Sequence, residues 1–397
     1  MLNAFLMHCF CILLRGLYLP FKLLPTRHKV VFISRQGDQP SLDFLALAEE
    51  MKKQDKTLKV VILCKFIKSG FWPKIAYGFH MLSQMLHLAT AKACVLDGYC
   101  IAACVLNHKK TLKIYQLWHA VGLLKNFGYA ATGLKEGSSP RTAKIMRMHR
   151  GYHRILCSSK ELISDIARCY DAPEEKFMPL GLPRIDFLTN KEQMLAAREK
   201  ILSYCPLLQG DKKIILHAPT FRKTQNASLR SLAENVDFSR YHLVEKSHGG
   251  RVLVHTAEGK KSFPDPFSGV EWISVADYVV TDYSAILFEA LAADRPVILF
   301  CYDLDNYLQD RGFSIDYYQL PLPVCKTAEQ TISVIEGENF NRKKMKSFCD
   351  HYVAARYLRS TKAISYMILE ELQGRNVSYE QICQDSQFQK KKEVHHV

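Results

Sequence analysis

The sequence predicts an α/β protein made of two doubly wound, Rossmann-like domains that face a cleft, preceded by an N-terminal membrane-associating segment. Two observations predict this fold. Short apolar runs alternate with helical stretches along most of the chain, and the alternation begins again after a linker rich in proline and glycine. The 397 residues are 48% hydrophobic and 23% charged, as in ordinary globular proteins, which excludes a mainly disordered or coiled-coil chain.

The first 14 residues are uncharged and mostly apolar, and basic residues follow them at Arg15, Lys22 and Arg27. Fourteen residues fall short of the roughly 20 that span a bilayer. In a signal peptide, the positive charge precedes the apolar stretch rather than following it. We therefore predict an amphipathic membrane-associating segment over 1–27, with its basic residues toward anionic headgroups. The alternative is a helix that packs on the protein's own surface.

The N-terminal domain is predicted over 28–180. Its helices are expected over 42–53 and 80–91, and a Ser158-x-x-Glu161 capping box predicts a further helix that ends near Tyr170. The candidate buried strands of this domain are Val30–Ser34, Lys59–Cys64, Ala93–Leu96, Leu112–Leu117 and Arg154–Ser158.

The C-terminal domain is predicted over 181–375, and residues 376–397 are expected to form a polar tail. The candidate strands are Lys213–His217, His242–Lys246, Arg251–His255, Trp272–Val275, Tyr278–Thr281 and Val297–Phe300. Helices are expected over 191–204, 285–293, 328–336 and 342–373. Because doubly wound sheets bind ligands at the carboxyl ends of their strands, side chains that directly follow strands are the candidates for chemistry.

The net charge and the absence of several sequence motifs argue for and against particular classes of function. The chain has 54 Lys and Arg against 39 Asp and Glu, and the net charge of +15 favours an anionic partner such as nucleic acid, an acidic membrane or a phosphorylated substrate. No glycine-rich dinucleotide motif, P-loop, H-E-x-x-H or G-x-S-x-G occurs, which argues against nicotinamide dehydrogenases, P-loop NTPases, zincins and hydrolases with a nucleophile elbow. The thirteen cysteines form no Cys-x-x-Cys pair, which argues against a disulfide framework or a zinc ribbon.

Two strand ends carry residues suited to catalysis. Trp118 and His119 follow one strand, and a histidine with an ordinary pKa of about 6.5 can accept a proton near neutrality. The alternative is a packed ring with one hydrogen bond. Thr281 and Ser284 lie where another strand runs into a helix, and hydroxyl and N–H groups there can meet a phosphate. The alternative for Ser284 is an ordinary helix N-cap.

Three weaker candidates complete this set. Arg222 follows a strand end and is suited to bidentate phosphate contact, Arg184 lies in the linker, and His248 comes just after a strand.

Six motifs, in the same order along the chain, resemble those of the CDP-glycerol glycerophosphotransferases of teichoic-acid synthesis, and within them the primase-like branch. They are Trp118-His119-Ala120 with Gly122, Lys125 and Phe127-Gly128; Gly181-x-Pro183-Arg184-x-Asp186; Ala218-Pro219-Thr220-Phe221-Arg222; Lys246-x-His248; Thr281-Asp282-Tyr283-Ser284; and Tyr302-Asp303-Leu304 with Arg311-Gly312-Phe313. The resemblance covers roughly residues 29–318, and six ordered motifs are far more specific than any one of them.

The resemblance implies a GT-B fold and an enzyme bound peripherally at the cytoplasmic face of the membrane. The implied reaction moves glycerol phosphate from CDP-glycerol to a hydroxyl of a lipid-linked saccharide acceptor and releases CMP. It implies His119 and His248 as catalytic residues and places Arg222, Thr281 and Ser284 at the donor phosphates. The supporting or substrate-binding residues are Trp118, Gly122, Lys125, Arg184, Asp282 and Glu289. Neither a cofactor nor a metal is implied, and Asp303-x-Asp305 is interpreted as structural.

Departures from the family pattern keep other functions open. Gly249 stands where the family commonly has proline, and Ala285 where it often has a second serine. CDP-ribitol is therefore an alternative donor, and a GT-B glycosyltransferase that uses a nucleotide sugar is a second alternative. A nucleic-acid-binding protein is the non-enzymatic alternative, but it has only the net charge in its favour because no nucleic-acid-binding motif occurs.

Overall fold

The computed structural model describes residues 2–135, 137–220, 232–246, 250–305, 307 and 312–390. The chain forms two compact units, and each unit is made of more than one stretch of sequence. Unit 1 contains Met1–His119, Asn126–Pro183 and Tyr357–Val397, and unit 2 contains Ala120–Lys125 and Arg184–Arg356.

Unit 1 is built on a parallel six-stranded sheet with the strand order β2-β1-β3-β4-β5-β6. The strands are β1 Lys29–Ser34, β2 Lys59–Cys64, β3 Ala93–Leu96, β4 Lys113–Gln116, β5 Arg154–Leu156 and β6 Phe177–Met178. Strands β1 and β3 are buried along their whole length, as expected for a parallel sheet with both faces covered. The chain leaves β1 for β2 on one side and enters β3 on the other, so the topological switch point lies between β1 and β3.

The helices around this sheet include the three predicted over 42–53, over 80–91 and up to Tyr170, with two differences. They are α1 Leu2–Lys22, α2 Leu42–Gln54, α3 Phe71–Thr90, α4 Ile101–Val105, α5 Pro140–Ile145 and α6 Ile163–Tyr170. Helix α3 begins nine residues before the predicted start at 80. The Ser158 capping box does not form, because Ser158 is fully buried at the end of β5 and α6 begins only after a 3-10 turn over Lys160–Leu162.

Helix α1 continues through Arg15, so it is longer than the uncharged segment. It packs along α3 and α5 and buries one narrow stripe, formed by Ala4, Cys11, Leu14 and Tyr18. By length and composition, Ala4–Lys22 is the one helix among the described residues that meets the criteria for a membrane span, with a mean hydropathy of 1.6. Most of its other large apolar side chains are exposed, so α1 both packs on unit 1 and presents an apolar surface.

Unit 2 contains a seven-stranded sheet with the order β10-β9-β8-β7-β11-β12-β13. The strands are β7 Lys213–His217, β8 Tyr241–Lys246, β9 Arg251–Thr256, β10 Gly259–Pro264, β11 Tyr278–Thr281, β12 Val297–Phe300 and β13 Val324–Cys325. The five neighbouring strands β8-β7-β11-β12-β13 are parallel, whereas β9 and β10 are antiparallel to their neighbours. The switch point of this sheet lies between β7 and β11.

Helices form at the predicted positions in unit 2, and a further helix replaces one predicted strand. They are α7 Pro183–Leu188, α8 Lys191–Tyr204, α9 Gly269–Trp272, α10 Ile286–Ala292, α11 Ala328–Glu336 and α12 Arg342–Tyr352. The prediction of a strand over Trp272–Val275 is wrong. Ser268 and Glu271 form a capping box that starts α9 there, and the buried Trp272 ends that helix.

The predicted helix over 342–373 is divided between the two units. Its first part is α12, which buries Met345 and Cys349 in unit 2, and the chain then turns through a 3-10 segment. Its second part is α13, Ser360–Leu372, which packs against α2 in unit 1 and is followed by α14, Tyr379–Gln384. The structure therefore groups residues 357–375 with unit 1, whereas the predicted domain 181–375 placed them with the C-terminal domain.

A buried carboxylate fastens this returning segment to the sheet of unit 1. Glu371, 2% exposed, accepts hydrogen bonds from Tyr115 Oη at 2.7 Å, His153 Nε2 at 2.9 Å and Arg154 Nε at 3.0 Å. Burial by itself raises the pKa of the Glu371 carboxyl, but the hydrogen bonds from His153 and Tyr115 outweigh it and lower the pKa from 4.5 to about 2. The ionised form therefore stabilises the folded state.

We predict that Glu371→Gln makes the folded chain less stable at neutral pH and less sensitive to acid. Because the folded pKa lies below the unfolded one, the stabilisation is complete above about pH 5 and is lost as the pH falls toward 2. Its size is about 3 kcal/mol. Urea unfolding of the full chain at pH 7, 5 and 3.5 measures it, with the exposed Glu174→Gln as the control. Equal acid sensitivity of the wild type and Glu371→Gln would contradict the assignment.

Candidate active site

Unit 1 holds His119 beyond the carboxyl end of its sheet, at the switch point between β1 and β3. Nδ1 of His119 lies 3.0 Å from the carbonyl oxygen of Asp97, which directly follows β3. Nε2 of the Gln36 side chain, beyond the end of β1, lies farther from the same ring nitrogen, at 3.3 Å. The Asp97 carbonyl oxygen can only accept a hydrogen bond, so the shorter contact assigns the proton to Nδ1, and Gln36 Nε2, which is also a donor, then makes no hydrogen bond to it. The neutral ring then has Nε2 as its proton acceptor.

Trp118 has a left-handed backbone conformation with φ of +68°, which is rare for an aromatic residue and requires support from its surroundings. Its N–H donates to the side-chain oxygen of Gln116 at 3.0 Å. Its indole stacks on Phe127 with the ring centroids 4.1 Å apart, and it also lies 4.1 Å from the ring of His119. The indole of Trp118 therefore packs beside the imidazole of His119.

Phe127 and Gly128 belong to the packing around Trp118. Gly128 has φ of +55°, and a Cβ atom added there would lie 2.2 Å from the carbonyl oxygen of Cys169. Only glycine fits this position without displacing backbone. The Phe127-Gly128 pair of the sequence motif is thus explained by the packing around Trp118.

His149 belongs to the same aromatic cluster, and the sequence analysis missed it. Its ring lies edge-on to Tyr170 at 4.7 Å and to Trp118 at 6.0 Å, and Nδ1 lies 3.1 Å from the hydroxyl of Tyr152. Burial, and to a smaller extent the neighbouring His119, lower the pKa of His149 to about 3. His149 is therefore neutral near pH 7. No motif identified it, because it lies in an irregular loop among basic residues.

Residues Ala120–Lys125, which follow His119 directly, belong to unit 2. A Cβ atom at Gly122 would lie 2.4 Å from the buried ring of Phe288, so glycine is needed for this close approach. Nζ of Lys125 donates to the hydroxyl of Tyr307 at 3.2 Å, and its backbone pairs with Phe313. The structure thus gives the predicted residues Gly122 and Lys125 packing contacts within unit 2.

The predicted phosphate-binding turn lies at the switch point of unit 2. Thr281 is fully buried, and its hydroxyl donates to the carbonyl of Ala218 at 2.8 Å, which joins the ends of β11 and β7. The carboxylate of Asp282 accepts from the N–H of Thr220 at 2.7 Å. Ser284 is half-buried, and its oxygen lies 3.5 Å from the N–H of Ile286 at the start of α10. Thr281 and Asp282 therefore shape the turn that presents Ser284.

Arg184 and Glu289, two of the predicted supporting residues, form an ion pair within unit 2. Nη1 of Arg184 lies 2.6 Å from Oε1 of Glu289, and their side chains are only 14% and 7% exposed. Arg184 belongs to α7, directly after the linker, and Glu289 lies on α10, which follows the Ser284 turn. The pair therefore joins the linker motif to the helix behind the predicted phosphate-binding turn.

The predicted residues Arg222 and His248 lie outside the described residues. The two residues that flank 247–249 are described, and both are tied to Asp265. Nζ of Lys246 forms an ion pair with Oδ2 of Asp265, and the carbonyl of Gly250 accepts from the N–H of Asp265 at 2.8 Å. Trp272 Nε1 donates to the same carboxylate at 2.9 Å.

A second titratable cluster that the sequence analysis missed lies inside the sheet of unit 2. Glu245 on β8 is 2.9 Å from Nε2 of His255 and 3.7 Å from Nδ1 of His217. Burial raises the pKa of Glu245, but contacts with the two histidines outweigh it and leave the pKa below its ordinary value. Side chains alternate between the two faces of a strand, so these three could have been assigned to one sheet face from the sequence. That assignment needs the antiparallel pairing of β8 and β9, which the sequence does not reveal.

The described residues contain no group of three or more His, Cys, Asp and Glu side chains placed to hold a metal ion. Asp303 accepts from the hydroxyl of Tyr283 at 2.9 Å. Asp305 accepts from the hydroxyl of Tyr318 at 2.6 Å and pairs with Lys326. Both carboxylates therefore hold tyrosine side chains in unit 2, and the structural interpretation of Asp303-x-Asp305 stays a prediction.

Residues 18–257 and 267–370 match the profile of the family described as CDP-glycerol:poly(glycerophosphate) glycerophosphotransferase. The match covers most of the chain.

Two similar relatives come from Bacillus spizizenii. The chain is 30% identical over 347 residues to a teichoic acid poly(ribitol-phosphate) polymerase, covering 84% of this chain but only 55% of the relative. It is 28% identical over 365 residues to a teichoic acid ribitol-phosphate primase, covering 87% of this chain and 92% of the relative. The chain thus spans about half of the polymerase and nearly the whole of the primase.

The fold is shared with the wall teichoic acid polymerase TagF. A TagF variant soaked with CDPG superposes with a TM-score of 0.71 at 18% identity, over 94% of this chain and 98% of that one. This likeness confirms the predicted fold class, an α/β protein of the GT-B type with two Rossmann-like units.

We predict that Arg184→Ala lowers the free energy of unfolding by about 3 kcal/mol, because it leaves the buried Glu289 carboxylate without its cationic partner. The double variant Arg184→Met/Glu289→Leu should recover most of this loss, since it removes both charges. Chemical unfolding of the full chain measures both effects. The exposed pair of Lys53 and Glu49 provides the control, and Lys53→Ala should leave stability unchanged within error. Additive losses at positions 184 and 289 would contradict the pairing.

Proposed function

Because this chain belongs to the CDP-glycerol:poly(glycerophosphate) glycerophosphotransferase family, we propose that it transfers a polyol phosphate from a CDP-linked polyol to a hydroxyl of a lipid-linked saccharide acceptor. The products are CMP and a phosphodiester in teichoic acid or a related cell-wall polymer. One observation carries the proposal: Nδ1 of His119 lies 3.0 Å from the Asp97 carbonyl oxygen at the switch point of unit 1, a contact that assigns the proton to Nδ1 and the acceptor role to Nε2.

In the proposed reaction, the acceptor hydroxyl gives its proton to Nε2 of His119 as its oxygen attacks the phosphorus that bears the polyol. A new P–O bond forms to the acceptor, and the P–O bond to CMP breaks with its electron pair going to CMP. Positioning and fixed positive groups supply most of the rate enhancement in such phosphoryl transfers. The indole of Trp118, 4.1 Å from the His119 ring, favours the imidazolium that forms.

The donor phosphates are assigned to unit 2. We assign Arg222 and Ser284 to direct contact with the phosphates and His248 to the transferred phosphate, in line with the family motifs that these residues match. Thr281 is assigned a supporting role, because its buried hydroxyl already donates to the Ala218 carbonyl. Asp282 supports the same turn through the N–H of Thr220.

Two observations point to different polyols. The family description names CDP-glycerol, which is the donor that the sequence motifs predict. The two B. spizizenii relatives are ribitol-phosphate enzymes, and the primase among them matches over nearly its whole length. Ribitol phosphate from CDP-ribitol is therefore the second candidate, and both donors belong in the same assay.

An anionic membrane surface is the proposed location of the enzyme, at the cytoplasmic face. Helix α3 presents a stripe of exposed apolar side chains beside those of α1, with which it packs. The exposed α3 residues are Phe71, Trp72, Ile75, Phe79, Leu82 and Leu86. Exposed apolar patches of this extent are rare on soluble monomers and mark interaction surfaces.

The positive charge of the chain is concentrated in its first 160 residues, which include these helices. Residues 1–160 contain 24 Lys and Arg but only 7 Asp and Glu, a net charge of +17, whereas residues 161–397 have a net charge of −2. An apolar face within an acid-poor, basic region suits a bilayer interface that contains anionic lipid.

We predict that His119→Ala lowers acceptor-dependent CMP release by about 100-fold or more, the usual scale for a general base, while donor binding is largely kept. The assay supplies CDP-glycerol and CDP-ribitol in parallel, with a soluble lipid-linked disaccharide analogue as the acceptor. His351→Ala, on the exposed side of α12, is the matched control and should retain wild-type turnover. Near-normal turnover of His119→Ala would remove this histidine from the mechanism.

We also predict that Trp72→Ser/Phe79→Ser weakens binding to vesicles that contain anionic phospholipid by about 10-fold or more, because each large apolar side chain contributes about 1.5–3 kcal/mol when buried. Co-sedimentation with the vesicles measures the affinity. Leu195→Ser, at an exposed apolar residue of α8 in unit 2, is the control and should bind as the wild type does. Equal binding by the double variant would exclude α3 from the membrane surface.

A further inference from the structure

Gln116 is a buried polar residue at the end of β4, and nothing in its family assignment explains it. It is 0% exposed and pairs in register with Leu96 of β3. A buried amide costs free energy unless its donor and acceptor are both satisfied, whereas methionine or leucine would fill the same space without this cost. The hydrogen bonds of Gln116 therefore indicate what the residue does.

Both ends of the Gln116 amide bind backbone groups beyond the sheet. Nε2 donates to the carbonyl of Gly98 at 3.1 Å, and Oε1 accepts from the N–H of Trp118 at 3.0 Å. These partners fix the orientation of the amide, because a carbonyl can only accept and an N–H can only donate. The last backbone bond between the two strand ends is Leu117 N–H to Leu96 O at 2.7 Å. The Gln116 amide thus joins the ends of β3 and β4 beyond the last backbone hydrogen bond between them.

The two segments joined by Gln116 are the two that determine the position of the His119 ring. Gly98 follows Asp97, whose carbonyl oxygen lies 3.0 Å from Nδ1 of His119. Trp118 precedes His119, and its φ of +68° sets the direction in which the chain carries the imidazole. A shift of either segment changes the distance between Nδ1 and the carbonyl, and that contact keeps the proton on Nδ1.

We propose that Gln116 is a positioning residue for the reaction: it holds the Asp97 carbonyl and the Trp118 backbone in register, and so keeps His119 in the tautomer whose Nε2 accepts the acceptor's proton. The inference rests on the proposed role of His119 as the base. It assigns Gln116 no contact with the substrate.

The first test replaces Gln116 with methionine, which has a similar shape but no hydrogen-bonding amide. Gln116→Met should lower kcat for acceptor-dependent CMP release by about 10- to 100-fold, the scale for a displaced catalytic group, with KM for the donor changed by less than about twofold. Gln84→Met is the matched control, since Gln84 is a buried glutamine of α3 in the same unit. It should keep the wild-type kcat.

The second test uses the pH dependence of Gln116→Glu. Burial raises the pKa of a carboxyl group, and the protonated acid can donate to the Gly98 carbonyl and accept from the Trp118 N–H as the amide does. The ratio of the variant's kcat to that of the wild type should therefore be highest at low pH and fall as the pH rises. For Gln116→Met the ratio should not change with pH.

The third readout is the tautomer itself. Nitrogen-15 NMR of histidine-labelled full chain, with the His119 signal assigned by its loss in His119→Asn, should show the proton on Nδ1 in the wild type. In Gln116→Met it should show a mixture of the two tautomers. Thermal unfolding followed by circular dichroism identifies a variant that does not fold, and in that case Gln116→Glu at low pH provides the test.

The outcomes separate this inference from the proposed function. An inactive His119→Ala together with a Gln116→Met enzyme of wild-type kcat and unchanged tautomer would overturn the role of Gln116 and leave His119 as the base. A fully active His119→Ala would overturn the proposed function of His119, and with it the inference. A low kcat, a retained donor KM and a mixed tautomer in Gln116→Met would support both.

Discussion

Where parallel strands end, the backbone ladder stops while the peptide groups beyond it are still buried and need hydrogen-bond partners. In both units a buried side chain meets this need across the gap between neighbouring strands. The amide of Gln116 joins Gly98 to Trp118 in unit 1. In unit 2 the hydroxyl of Thr281 binds the carbonyl of Ala218. Each of these side chains lies three residues before a candidate site residue, so completing the hydrogen bonds of the sheet also positions the chemistry.

Most of the motif around His119 is explained by packing. Gly128 is required by the carbonyl of Cys169, and Gly122 by the ring of Phe288. Trp118 and Phe127 stack on one another in unit 1, whereas Ala120–Lys125 between them belong to unit 2. Residues of this short run thus pack in both units. His119 is the member of the run whose geometry is suited to proton transfer.

Strands β1, β3, β11 and β12 could be predicted because each is a short apolar run buried along its whole length, and the candidate residues because they follow such runs. Pairings between distant segments could not. The capping box at Ser268 overrides the apolar pattern of Trp272–Val275, and the helix predicted over 342–373 breaks because its two halves bury side chains in different units. Arg184 and Glu289 were predicted as separate supporting residues, and only the structure shows that they form a pair.

The charge of unit 1 gives a physical reason for the return of the chain to it after unit 2. Residues 1–160 contain 24 Lys and Arg but only 7 Asp and Glu, so most of their basic groups cannot pair with a carboxylate from the same stretch. The segment from Tyr357 onward supplies some of them. Glu371 accepts bonds from Arg154 and His153 at the sheet, and Glu380 lies 3.5 Å from Lys160. The returning segment thus supplies part of the negative charge that balances the basic residues of 1–160.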